Sequence, residues 1–176
     1  MYDKKFEAER KKILEKNSSS KKFLNISKKF NIEASLNKYT YTFNWLGVPI
    51  IQYPQDIILM QELLFEVKPD LIIETGIARS GSLIFYSSIL SLMYKKYKVI
   101  GVDIDIRKHA KQVLKTHKFS NNIITFQGSS NDTKILNKIS KISKNYKKIL
   151  VCLDSDHTHP HVLEELNNYS RFVSKN

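Results

Sequence analysis

Glu74-Thr75-Gly76-Ile77-Ala78-Arg79-Ser80-Gly81-Ser82 decides how this chain is read. The stretch follows a short apolar run, Asp70 to Glu74, and precedes an apolar segment, Ser82 to Tyr94. Glycine is needed at such a turn for its backbone freedom and for the close approach of a ligand. The helix start behind it offers N–H groups that have no intrahelical partner. A strand that ends in a glycine turn and feeds a helix holds nucleotide-type ligands at the first strand of a parallel sheet. The turn is not Gly-x-Gly-x-x-Gly, and nothing downstream supplies a hydride-transfer site, which weighs against a nicotinamide dinucleotide.

Downstream of the turn, strands and helices alternate. Lys98 to Asp103 reads as a strand and Arg107 to His117 as a helix. Asn122 to Phe126 is a strand, followed by a helix over Thr133 to Ser143 with apolar positions at Ile135, Leu136, Ile139 and Ile142. Lys148 to Asp154 is a strand and His159 to Tyr169 a helix. Four strands separated by helices predict an α/β domain with a parallel sheet and right-handed crossovers. Runs such as Leu71-Ile72-Ile73 and Ile149-Leu150-Val151-Cys152-Leu153 suit strands covered on both faces.

Upstream, Asp56 to Val67 carries apolar residues at helical spacing and stops at Lys68-Pro69, because proline disfavours a helical residue before it. Tyr41 to Pro54 reads as an ordered aromatic loop. Residues 1–38 form a basic arm, with Phe6, Ile13 and Leu14 on one side of a helix, a break at Asn17-Ser18-Ser19-Ser20, and a second short helix. The domain proper is expected over 39–176. The net charge of +12 arises from lysines spread along the chain among Asn, Ser and Ile. It forms no compact stripe with interleaved aromatics, so nucleic acid is not an expected partner. No apolar run is long enough for a membrane span, and no signal-peptide core is present, so the cytoplasm is the expected location. The single cysteine, Cys152, excludes an internal disulfide and reads as a buried, inert thiol.

Each strand end carries candidate chemistry. Asp103 closes the second strand, where an acid accepts hydrogen bonds from ribose hydroxyls. Asp105 is the rival acid, placed to cap the next helix. Gly128-Ser129-Ser130 follows the third strand and either borders an adenine or is a plain turn. The fourth strand runs into Asp154-Ser155-Asp156-His157-Thr158-His159-Pro160-His161, where carboxylate and imidazole suit metal binding or acid–base work. His157, His159 and His161 straddle a helix start and need not converge; His161 is expected to be helical and partly packed.

Several blocks now stand in order: Trp45-Leu46-Gly47-Val48-Pro49, Pro54-Gln55-Asp56, Lys68 to Gly76, Ser80-Gly81-Ser82, Gly101-Val102-Asp103-Ile104-Asp105, Leu153 to His157 and His161 to Leu166. Together, from about Thr40 to Phe172, they closely resemble the cephalosporin hydroxylase family. That family is similar to class I, Rossmann-like S-adenosylmethionine-dependent O-methyltransferases, including rhamnosyl and other sugar methyltransferases. The resemblance implies a sheet of order 3-2-1-4 with helices on both faces. It implies that Glu74, Gly76 and Ser80-Gly81-Ser82 hold the methionine part of S-adenosylmethionine and that Asp103 holds its ribose; Ala78 in the same turn and Ser129 in the loop left open above complete the candidate cofactor-binding residues. It implies Asp154 as a magnesium (Mg2+) ligand and His157 as the base. The acceptor would be a small-molecule or lipid-linked sugar, as in surface-polysaccharide or natural-product biosynthesis. Trp45, Tyr53 and the basic arm are the candidates on its side.

The family continues into a further strand that ends in a Glu-Asp pair completing the metal site, whereas this sequence ends at Ser174-Lys175-Asn176. The expectation is a truncated member with the last strand of the sheet left as an apolar edge. A second copy or a partner chain would cover that edge. Two outcomes stay open on this reading: metal-assisted O-methylation, or a remnant or half enzyme that binds cofactor without turnover.

Overall fold

The computed structural model describes residues 3–173. Ser174, Lys175 and Asn176, on which the expected truncation falls, lie outside the described residues. The chain divides into two units, residues 1–40 and 41–176.

The first unit holds two helices, α1 (Lys4–Ser19) and α2 (Lys21–Leu36). Asp3 caps α1 by accepting from the N–H groups of Lys5 and Phe6. Ser20 is the break. Its extended backbone ends α1, and its hydroxyl oxygen accepts from the Phe23 N–H to start α2. The second helix is sixteen residues long rather than short. No glycine or proline interrupts residues 21–36, and nothing else in the sequence stops a helix there.

The second unit opens with a hairpin in place of the expected loop: β1 (Asn44–Trp45) pairs antiparallel with β2 (Val48–Pro49). Leu46 and Gly47 between them both take left-handed backbone, the geometry of a tight two-residue hairpin turn. Helix α3 (Pro54–Val67) starts with proline in its first turn and ends at Lys68, whose left-handed backbone turns the chain. Then come β3 (Leu71–Thr75), α4 (Gly81–Met93), β4 (Lys98–Asp103), α5 (Lys108–Thr116), β5 (Ile123–Gln127), α6 (Thr133–Ser143), β6 (Ile149–Leu153) and α7 (His159–Tyr169).

The four long strands form one parallel sheet in the order β5-β4-β3-β6. Counted within that sheet, this is the expected order 3-2-1-4. Alternate side chains serve two cores. Ile72 and Val99 face Leu64, Leu83, Phe85 and Leu90 from α3 and α4, with Ala110 from α5. Leu71, Ile73, Ile100 and Val102 face Ile135, Leu136 and Ile139 from α6, with Tyr169 and Phe172 after them. All five residues of β3 are buried. Each aliphatic side chain of that kind stabilises the fold by about 1.5–3 kcal/mol. Strand β6 stands at the edge, and all five of its residues are only half-buried. Among the described residues no helix is long and apolar enough to cross a membrane.

Register decides where the chemistry lies. Thr75 pairs with Val102 and with Leu153, and Asp103 pairs with Gln127. The carboxyl ends of all four strands are therefore level. The loops after them open on one edge of the sheet, beside the position where the chain order reverses between β3 and β6.

Candidate cofactor site

A cavity of about 540 Å³ lies at that edge. The turn after β3 supplies Gly76 and Ala78, the end of β4 supplies Asp103 and Ile104, and the loop after β5 supplies Gly128, Ser129 and Ser130. From beyond β6 come Asp154, Ser155, Asp156 and His161. A cavity of this size fits a single nucleoside-sized ligand. A small adjoining recess of about 30 Å³ is lined by the same turn, including Gly81 and Ser82, together with Pro49 to Gln52 and Asp154.

Asp103 is built into the turn. One carboxylate oxygen accepts from the N–H groups of Ile77 (2.9 Å) and Ala78 (3.3 Å), and the other from Asp105 N–H (2.9 Å). These bonds orient the carboxylate at the cavity wall and leave lone pairs for a ligand hydroxyl. Asp105 does not cap α5 as expected. The helix begins one residue past Arg107, without a side-chain cap, and Asp105 instead stands 3.7 Å from the Arg107 guanidinium. Ile104, between the two acids, is 76% exposed and lines the cavity. An apolar side chain presented to an open cavity suits the face of an aromatic ring.

Glu74 and Ser80, expected to touch ligand, lie behind the turn and line neither cavity. Glu74 is buried. Its oxygens accept from Ser82 Oγ (2.6 Å) and from the Tyr86 hydroxyl (3.0 Å). Burial pushes its carboxyl up to about 8, against the lowering effect of those two hydrogen bonds. Ser80 is fully buried in left-handed backbone, and its hydroxyl has no hydrogen-bond partner among the described residues. Gly81 borders the recess, but the packing of α4 also requires it: a Cβ there would overlap the Pro49 carbonyl oxygen of the hairpin. Cys152, half-buried on β6, is pushed up to about 12 by burial and by the nearby Glu74, consistent with an inert thiol.

Asp154 borders both cavities, and burial raises its carboxyl above the ordinary value against the pull of His157. His157 Nε2 lies 3.6 Å from Asp154 Oδ1, on a ring 75% exposed that lines neither cavity. The three histidines do not converge: His159 starts α7, and His161 is helical and partly packed, facing the main cavity. Among the described residues no group of three His, Cys, Asp or Glu side chains is placed to hold a metal. Asp154 is not joined by two further such side chains there, and the described residues do not by themselves fit a magnesium site.

Trp45 proves to be a packing residue. Its ring meets Phe85 edge-on at 4.9 Å and its Nε1 donates to Ser88 Oγ at 2.9 Å. Ser129 borders the cavity while its oxygen accepts from Asn131 N–H, so the loop is both a turn and a wall. Ile104 and Ser155 were given no role of their own in the sequence, Ser130 was named only with its loop, and His161 only as a helical, partly packed residue. The signals present were the apolar residue beside a strand-end acid and the i, i+4 spacing of His161 and Glu165.

Residues 37–176 match the family model described as rhamnosyl O-methyltransferase/CmcI. The chain belongs to this family. The rhamnosyl O-methyltransferase of Mycobacterium leprae is 30% identical over 129 residues, covering 71% of this chain and 53% of that protein. The protein of the same name from Mycobacterium tuberculosis is 30% identical over 123 residues, covering 69% and 49%. The chain thus spans about half the length of the family members it matches. Two solved structures share its fold. CmcI in its apo form superposes with a TM-score of 0.56 at 20% identity, covering 72% of this chain and 51% of that one. CmcI with SAH gives 0.55 at 19%, covering 70% and 58%.

Proposed function

We propose that this chain binds S-adenosylmethionine in the cavity at the carboxyl edge of the sheet and serves methyl transfer to a sugar hydroxyl. The observation that carries this reading is the joint placement of Asp103, the Gly76 turn and the exposed Ile104 around one nucleoside-sized cavity. Asp103 would accept from the ribose hydroxyls, and Ile104 and Ser129 would flank the adenine. Gly76, Ala78 and Ser82 would border the methionine end. Family membership and the named activity of the mycobacterial relatives support a rhamnose-like acceptor.

S-adenosylmethionine supplies an electrophilic methyl group on a sulfonium sulfur. The acceptor oxygen must lose its proton as it bonds to that carbon and the carbon–sulfur bond breaks. His157 is the proposed base, with the Asp154 carboxylate 3.6 Å away to stabilise the imidazolium that forms. No step is assigned to magnesium; a metal-assisted form of the reaction is a separate arm of the test.

Calorimetric titration with S-adenosylhomocysteine tests the binding. The wild-type chain should bind, and Asp103→Ala should weaken binding at least about tenfold, or 1.4 kcal/mol. A well-folded chain that does not bind, or an Asp103→Ala variant that binds equally, would sink the reading. Methyl transfer to a rhamnosyl acceptor, with and without added Mg2+, separates turnover and metal assistance from a chain that binds cofactor only.

A further inference from the structure

Two loops of the cavity and helix α7 meet on one side chain. His161, in the first turn of α7, lines the cavity. Its Nε2 stands 3.2 Å from Ser130 Oγ, 3.2 Å from Ser155 Oγ and 3.3 Å from Glu165 Oε1. Ser130 belongs to the loop after β5 and Ser155 to the loop after β6. Glu165 is almost fully buried one helical turn along α7, and its second oxygen has no hydrogen-bond partner among the described residues. Two more bonds fasten α7 to the loop after β5. The Tyr169 hydroxyl donates to the Ser130 carbonyl at 2.8 Å, and Asn168 Nδ2 donates to Asn131 Oδ1 at 3.0 Å. Burial and the neighbouring Glu165 push the Tyr169 phenol well above its ordinary value, so it stays a donor.

Counting hydrogens assigns the imidazole. Ser155 gives its only hydroxyl hydrogen to Glu165 Oε1, at 2.7 Å. Its oxygen therefore offers His161 lone pairs alone, and Glu165 Oε1, already accepting, offers the same. Both contacts require a hydrogen on Nε2. Ser130 Oγ then also faces a donor, so the Ser130 hydroxyl hydrogen is not directed at His161. It has no acceptor among the described residues, and Ser130 borders the cavity.

We propose that His161 is a positioning residue of the cavity: its Nε2–H ties the loops after β5 and β6 together through Ser155 and Glu165 and leaves the Ser130 hydroxyl free to donate to an acceptor atom of the bound nucleoside. The ligand in this statement rests on the cofactor reading above; the hydrogen assignment does not. The role makes His161 and Ser130 one unit, so that losing either loses the same bond.

The test uses His161→Phe, which keeps ring bulk and removes the donor, His161→Gln, which restores an N–H at similar reach, and Ser130→Ala. His161→Phe and Ser130→Ala should each weaken S-adenosylhomocysteine binding about tenfold, and the double variant no further, because coupled groups are not additive. His161→Gln should recover most of the affinity. Full affinity in Ser130→Ala, additive losses in the double variant, or no recovery with Gln would overturn the proposal, whatever happens to the melting temperature. Nitrogen-15 spectra of the ligand-free wild-type chain, with the His161 signals assigned by their loss in His161→Phe, give an arm independent of the ligand. A hydrogen on Nε2 supports the assignment and a bare Nε2 overturns it. If the wild-type chain does not bind S-adenosylhomocysteine, the cofactor reading fails and this arm alone decides the positioning role.

Discussion

Gly76 carries two constraints at once. Its φ is +80°, and a Cβ added to it would overlap the Asp154 carbonyl oxygen across the cavity floor. Gly76→Ala should cost at least about 2 kcal/mol of unfolding free energy in urea titrations, since both backbone strain and a backbone clash arise. Two residues earlier, Glu74 shows what burial does to a carboxyl group. Its folded value of about 8 stands far above the ordinary 4.5, so between those two pH values the folded state holds a proton that the unfolded state has released. Stability from this group is complete below about 4.5 and declines as the pH rises toward 8. Melting temperatures of the wild-type chain should fall across that window more steeply than those of Glu74→Gln; parallel curves would count against a proton held at this site.

Element boundaries follow local chemistry where a cap is present. Asp132 starts α6 by accepting from the N–H groups of Lys134 (2.6 Å) and Ile135 (3.3 Å). Asp132→Ala should lower stability by about 1 kcal/mol in the same titrations, with cofactor affinity unchanged. Thr133–Ser143 and His159–Tyr169 were readable to the residue because polar starts and helical spacing agree there. The hairpin was not. Two two-residue strands carry no periodicity, and the Leu46-Gly47 turn looks like any loop until Trp45 is seen seated on Phe85 and Ser88. In the arm the serines signal a break and Ser20 supplies it, but the same residue caps a second helix of sixteen residues where a short one was expected.

At the scale of the whole molecule, β6 leaves half-buried Ile149 to Leu153 at the edge of the sheet. We propose that another strand, from a second copy or a partner chain, covers this edge. Sedimentation of the chain should therefore show concentration-dependent association, and a single monomeric species at every concentration would refute self-pairing. The sequence by itself determined the α/β alternation, the apolar strands buried on both faces, the glycine turn and the strand-end acids Asp103 and Asp154. Each of these is written in neighbouring residues, through hydrophobic period, backbone freedom and charge at a strand end. Only the tertiary structure decided that Glu74 and Ser80 sit behind the turn, that Gly81 serves the hairpin, and that Ile104, Ser130, Ser155 and His161 share one cavity. Those facts depend on strand order and level register, which bring loops far apart in the chain to a single edge. No local pattern encodes that meeting, because it is produced by the packing of the sheet against its two layers of helices.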